Sequence, residues 1–253
     1  MKLFFTIFLF ILSLTTLHSQ AMTYEKALAE YKASAYQESL QTIREILKVE
    51  KPRYELHYLA AYNYWQLKEW KPAVNHFQAA IKFKPEDTNA YLDIIKLYSS
   101  AQLNKAALEL CEDAIRKFPQ EPKFKFQQVA LLLKYGRIDV SLEIIEKLKL
   151  TLPEDYRPLA LESNIYYLKR DFEKAEISLK WASALAPNNP NLKNNLALIY
   201  EQMALISLKA NDKTKAKINL ELAKAQIDSA VSTVQNNVFL ENQKRITNSF
   251  SAL

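Results

Sequence analysis

Residues 57–85 read HYLAAYNYWQLKEWKPAVNHFQAAIKFKP. His57 is followed by the small pair Ala60 and Ala61, then by Tyr64, Ala73, Phe77, Ala80 and a closing Pro85. The same order recurs along the chain. Tyr64, Tyr98, Leu132 and Tyr166 are each followed nine residues later by Ala73, Ala107, Ser141 and Ala175. Phe77, Cys111, Ile145 and Leu179 come next, and then Ala80, Ala114, Leu148 and Ala182. Pro52, Pro85, Pro119, Pro153 and Pro187 close successive units at intervals of 33, 34, 34 and 34 residues. A proline just past an amphipathic stretch stops a helix there, because its ring has no N–H to donate and disfavours helix in the residue before it. Small residues let two helices approach closely while large ones fill the space between neighbours, so the pattern describes packed helical hairpins.

This order of a large residue, a small pair, tyrosine, alanine, aromatic and proline resembles the tetratricopeptide repeat. The resemblance implies an all-α fold, a right-handed superhelical solenoid of about six helix-turn-helix repeats, spanning residues 22–52, 54–87, 88–121, 122–155, 156–189 and 190–234. The first unit carries Ala27-Leu28, Tyr31, Ser39 and Ile43, with an inner turn one residue shorter. Repeat four departs from the small pair with Gln128 and Val129, and repeat five with Glu162 and Ser163. Neighbouring repeats bury each other's apolar faces, so one continuous core without an internal boundary is expected.

Composition agrees with helices and excludes much else. The 253 residues are 49% hydrophobic and 25% charged, with a single glycine, Gly136. Phosphate-cradling loops and dinucleotide fingerprints need several glycines at fixed offsets. One cysteine, Cys111, and three scattered histidines, His18, His57 and His76, offer no metal-ligand spacing, so neither metal nor cofactor is expected. Cys111 stands where the preceding repeat has Phe77 and should be a buried small hydrophobe. The formal charge of +6 is spread among interleaved acids and bases with no like-charge block, which argues against nucleic acid.

The chain opens with Met1-Lys2, an apolar run from Leu3 to Leu17, and Ser19-Gln20-Ala21. A positive start, an apolar core and small residues before a cut predict a cleavable secretory signal over residues 1–21, with cleavage before Met22. The apolar run covers fifteen residues, short of the roughly twenty that span a bilayer. No cysteine follows it, which excludes a lipoprotein anchor, and no later run is long enough to cross a membrane. The expected location is the periplasm or the cell exterior.

No catalytic constellation emerges. Glu162 with Glu173, or Glu86 with Asp87, could be imagined as paired acids, but in a repeat protein such pairs are usually a solvated face. The chain therefore reads as a non-enzymatic scaffold for a protein or peptide partner; a carrier or chaperone for exported polypeptides and a cell-wall glycan-binding module are the rivals. In the family it resembles, the first helix of each pair lines a concave groove. The groove offsets hold Glu55, Tyr58, Tyr62 and Trp65 in repeat two, then Asn89, Leu92, Lys96 and Ser99; Lys123, Phe126, Ala130 and Leu133; Arg157, Ala160, Asn164 and Tyr167; and Asn191, Asn194, Leu198 and Glu201. The partner-binding candidates are Tyr58, Tyr62, Trp65, Lys96, Phe126, Asn164 and Tyr167. Tyr58, Tyr62 and Trp65 share one helical face, and they either meet a ligand or pack on the adjacent repeat. Some members grip a C-terminal carboxylate with a Lys and Asn clamp. The matching places here hold Tyr58, Tyr62, Asp93, Lys123 and Gln127, so that activity is not carried over.

The last repeat breaks the rule, because Ala216 follows Tyr200 by sixteen residues rather than nine. Seven residues shared by two helices predict a hairpin longer by about 5 Å, turning at Asn211-Asp212 with Asp212 as cap. Its second helix carries an apolar stripe, Ala216, Leu220, Ala223, Ile227, Ala230 and Val234, with Ile218, Leu222 and Ala225 beside it. The tail, residues 235–253, is expected to fold back over this stripe through Val238, Phe239 and Leu240, the alternatives being a partner or a second copy.

Overall fold

The computed structural model describes residues 23–251, so the predicted signal segment lies outside the described residues. Among those residues every element is an α-helix. The helices come as hairpins: α1 (Tyr24–Lys32) with α2 (Tyr36–Val49), α3 (Tyr54–Gln66) with α4 (Trp70–Phe83), α5 (Thr88–Ser100) with α6 (Asn104–Lys117), α7 (Pro122–Lys134) with α8 (Ile138–Thr151), α9 (Tyr156–Leu168) with α10 (Phe172–Leu185), and α11 (Pro190–Lys209) with α12 (Lys213–Thr233). A thirteenth, α13 (Asn237–Ser251), ends the described chain. This is the all-α helical-repeat fold of the superhelical solenoid class that the repeat pattern implies.

Each hairpin turns through one residue in the left-handed region: Ser34, Lys68, Gln102, Gly136, Arg170 and Asn211, with φ from 59 to 68°. Such a residue lets its own N–H and that of the next residue bond back onto carbonyls the helix leaves open. Glu69 N donates to Tyr64 O at 2.9 Å and Asp171 N to Tyr166 O at 2.9 Å, and the same bond recurs at Arg137 and Leu132. The only glycine sits in this register; side chains occupy the other turns at about 1 kcal/mol each.

Those turns correct two sequence readings. Ser34 precedes Lys68 by 34 residues, so the inner turn of the first unit is of full length. Glu30, not Tyr31, holds the tyrosine place, and Ala35 N donates to Glu30 O at 2.9 Å. At the other end the interval from Arg170 to Asn211 is 41 residues, seven more than the period. Asp212 N bonds to Ser207 O, so Ser207 does at the last turn what Tyr166 does at the one before. In the core, Ala223, Ile227 and Ala230 join Ala175, Leu179 and Ala182. The equivalent of Ala175 is therefore Ala223, and each helix of the last hairpin has gained seven residues, two turns rather than one. At 1.5 Å per residue the extension, residues 203–219, is about 10 Å long.

The repeat pattern alone offers no boundary, but packing groups the described residues into two compact units that divide between Gln127 and Gln128. In the first, one cluster gathers Ala27, Leu40, Ile43, Ile46, Leu56 and Ala60, and another gathers Ala61, Ala73, Phe77, Ile94 and Leu97. In the second, Val129 packs with Ile145 and Ile165, and a larger cluster runs from Phe172 to Ile246. Close helix approach shows in paired contacts. Ser39 Oγ donates to Ala27 O at 2.8 Å and Ser163 Oγ to Ala175 O at 2.7 Å, the same crossing made from either helix. Cys111 is fully buried with its Sγ 3.2 Å from Phe124 O, and burial pushes its thiol up to about 12.

The tail does fold back, through Phe239 but not through the Val238 and Leu240 named with it. Phe239, Asn242 and Ile246 lie on one stripe of α13 and are buried, whereas Val238 and Leu240 are exposed. Phe239 and Ile246 enter the cluster containing Leu196, Ile227 and Val231. Ile218, in the extension, and Leu222 and Val234 beyond it stay exposed.

Candidate functional site

Tyr58, Tyr62 and Trp65 occupy successive turns of α3 and are each half-buried. Beneath them lies Phe77 of α4, fully buried, against which all three rings stand edge-on at 5.5, 5.4 and 6.1 Å between centroids. Edge-to-face contacts place the positive ring edge on the negative ring face. Trp65 lies nearly parallel to Tyr62 at 5.8 Å, and Tyr54 nearly parallel to Tyr58 at 5.0 Å.

The polar ends converge on one carboxylate. Tyr58 and Tyr62 both donate to Asp93 Oδ2 on α5, at 2.5 and 2.8 Å, and Asp93 is buried. Burial, then the Asp93 bond, pushes the Tyr62 hydroxyl up to about 12 and the Tyr58 hydroxyl higher still, so both remain donors across the physiological range. Lys96 Nζ stands 3.6 Å from Asp93 Oδ1 with its side chain exposed. The residues assigned to a groove thus form a rigid aromatic platform tied to the following repeat, with a cation at its edge. Packing and exposure coexist on the same rings.

The other candidates lie apart. Phe126 is half-buried on α7. Lys123 is held by Thr88 Oγ1 and by Asn89 Oδ1, the latter at 3.0 Å. In the second unit Asn164 and Tyr167, with Asn195 and Leu198, line a concavity of about 130 Å³. Asn194 and Glu201, read as groove positions, hold α13 instead. Asn242 Nδ2 donates to Asn194 Oδ1 at 2.8 Å, and Arg245 makes two bonds to the Glu201 carboxylate at 2.8 and 2.6 Å. Sequence reasoning missed Asp93 and Arg245 because both act across helices. The available signal was a charge at each: an acid on the first helix of repeat three, and an arginine in a tail otherwise read for its apolar pair.

The imagined acid pairs are structural. Asp87 accepts from Asn89 N as the cap of α5, and also from the Tyr54 hydroxyl. Glu162, buried where small residues are usual, accepts from Lys149 Nζ at 2.9 Å and Ser178 Oγ at 2.7 Å, while Glu173 is exposed. His57 and His76, scattered in the sequence, meet Nδ1 to Nδ1 at 3.1 Å, stacked on Phe83 and Tyr64 respectively. Burial, reinforced by His57, pushes the His76 imidazole down to about 4. Among the described residues no group of three or more His, Cys, Asp or Glu is placed to hold a metal ion.

No protein-family model matches the chain, and no curated protein matches it. Solved structures do. A tetratricopeptide repeat protein from Parabacteroides merdae matches with a TM-score of 0.65 at 17% identity, over 91% of this chain and 86% of that one. Yeast Tom70 matches at 0.63 and 18% identity, over 85% of this chain and 42% of that one. The fold is that of a tetratricopeptide-repeat protein. MamA from Desulfovibrio magneticus matches at 0.51 and 14% identity, over 70% of this chain and 96% of that one. At these identities the likeness concerns the backbone, so what the tetratricopeptide-repeat surface of this chain binds rests on its own side chains.

Proposed function

We infer that this chain is a non-enzymatic interaction scaffold that binds a polypeptide partner on the platform of Tyr58, Tyr62, Trp65 and Lys96. Asn164 and Tyr167 supply a second contact region in residues 128–253. The reading includes export, with residues 1–21 as the cleaved signal, so that the partner is met in the periplasm or outside the cell. One observation carries the platform: Asp93 fixes two phenols on consecutive turns while their rings keep an exposed side. Large aromatic groups held rigid lose little entropy on binding and dominate interface energetics. Buried Asp93 already takes both hydroxyls, leaving the partner ring surface and the Lys96 ammonium. An extended peptide with apolar side chains and a carboxylate fits that pair better than a glycan, which needs free hydrogen-bonding groups around its stacking ring. The carrier reading uses the same surface and differs by faster release.

The test is the affinity of polypeptide ligands for the protein and for Tyr62→Ala with Trp65→Ala. Binding should fall at least about tenfold, the cost of truncating one interface hot spot, while helicity is retained. Unchanged affinity in a folded double variant, or loss of binding only in step with unfolding, would refute the site.

A further inference from the structure

The extension of the last hairpin, residues 203–219, adds nothing to the repeat register, so its surface is free to serve another purpose. It carries Lys209, Lys213, Lys215 and Lys217, all exposed, against one carboxylate, Asp212. Asp212 is already occupied, because its side chain caps α12 by accepting from Lys215 N at 2.9 Å. No side chain among the described residues forms an ion pair or hydrogen bond with any of the four lysines. By contrast, Lys180 on α10 and Lys224 farther along α12 pair with Glu176 and Asp228 at 2.6 Å. Lys215 lines a shallow concavity with Asp171, Glu173 and Ile206. The same segment exposes large apolar side chains: Leu205 at 42%, Ile206 at 47%, Leu208 at 37% and Ile218 at 52%.

We propose that this extension is a docking surface for an anionic phospholipid bilayer. The arrangement selects that occupant over a folded protein. The exposed apolar groups sit on both helices, and on α11 Ile206 and Leu208 point about 160° apart, so with Ile218 on α12 they are not confined to one face. A protein seated on one face would leave the others in water, whereas the headgroup region of a bilayer surrounds a projecting tip. The lysines lie within two turns of the tip, close enough for their apolar stems to enter the interface beside the Leu and Ile side chains while their ammonium groups reach lipid phosphates. A cluster of four lysines is the size at which attraction to an anionic surface becomes appreciable. No described helix is long and apolar enough to cross a membrane, so the contact is peripheral. The proposal is independent of the aromatic platform in residues 1–127.

The experiment is sedimentation of the full chain with vesicles of phosphatidylcholine alone and of equal parts phosphatidylcholine and phosphatidylglycerol. Its counterpart is the Lys209→Gln, Lys213→Gln, Lys215→Gln, Lys217→Gln variant. Residues 3–17 are common to both proteins, so the difference between them isolates the hairpin. The anionic vesicles should bind the unaltered chain at least about tenfold more strongly than the variant. Molar salt should abolish that difference, and helicity should be the same in both. Leu205→Ser with Ile218→Ser should weaken binding with all four lysines present. Equal sedimentation of the unaltered and quadruple-Gln proteins, or no preference of the unaltered chain for phosphatidylglycerol, overturns the proposal and leaves the lysines to an acidic protein or to solvent.

Discussion

Ile246→Ala tests how α13 is held. Ile246 is fully buried in the cluster formed with Leu196 and Ile227, one stripe of α13 with Phe239 and Asn242. The substitution removes three carbons from that contact, worth about 2.4 kcal/mol at 0.8 kcal/mol each. Buried Ile→Ala replacements span roughly 2–5 kcal/mol once the cavity is counted. A terminal helix can settle into the void or come away, so the lower part of that range, about 2–3 kcal/mol, is expected. If α13 is docked by less than this, it detaches and the loss saturates without unfolding the hairpins. Hydrogen exchange read by mass spectrometry separates these outcomes. Amides of residues 240–251 should lose protection by roughly 50-fold, since each 1.4 kcal/mol is tenfold, while those of α9 and α10 change little. Val238→Ala, at an exposed position on the same helix, should leave exchange unaltered. Unchanged protection across α13 in Ile246→Ala would refute the buried docking of this helix.

Three further predictions address other parts of the structure. The His76 imidazole is pushed down to about 4 by burial and by His57, so the unfolded chain binds more protons than the folded one between roughly pH 6.5 and 4. Stability should therefore be full above about pH 6.5 and fall as pH drops toward 4; urea midpoints against pH should show this slope, and His76→Gln should flatten it. Arg170 sits at φ 61° in a hairpin turn, so Arg170→Gly should raise the urea midpoint by about 1 kcal/mol of stability. Deleting residues 203–209 and 213–219 together should leave a hairpin of ordinary length with Ala223 in the place of Ala175. That variant should remain helical with α13 protected from exchange, and loss of α13 protection would show that the extension belongs to the core.

The repeat was legible because its signals are local. A proline follows the second helix of each of the first five hairpins, and the small residues of Ala60, Ala61 and Ala73 are demanded by close helix approach, so both recur at the structural period. The last hairpin was misread for a physical reason. Ala216 and Ala223 are seven residues apart, two turns, and therefore face the same way; an alanine match cannot distinguish them, and no proline follows α12 to settle the register. In the first unit Tyr31 stood one place from the position that Glu30 takes, and only the turn geometry identifies the right residue. The platform was half legible. Helical spacing placed Tyr58, Tyr62 and Trp65 on one face, but nothing periodic announces that Asp93, from the next repeat, gathers two of their hydroxyls. The meeting of His57 with His76 likewise depends on how α3 crosses α4.

Crosslinking from a defined position reads whether the α3 platform receives a polypeptide. A photoreactive residue in place of Lys96, exposed beside Asp93, is irradiated in cells that produce the protein, with the same residue in place of Trp181, exposed on α10, as the comparison. Discrete polypeptide adducts are expected from position 96, diminished by Tyr62→Ala with Trp65→Ala, and none of the same species from position 181. Adducts that are identical from both positions, or that persist undiminished when the two aromatic rings are removed, would contradict polypeptide binding at the platform.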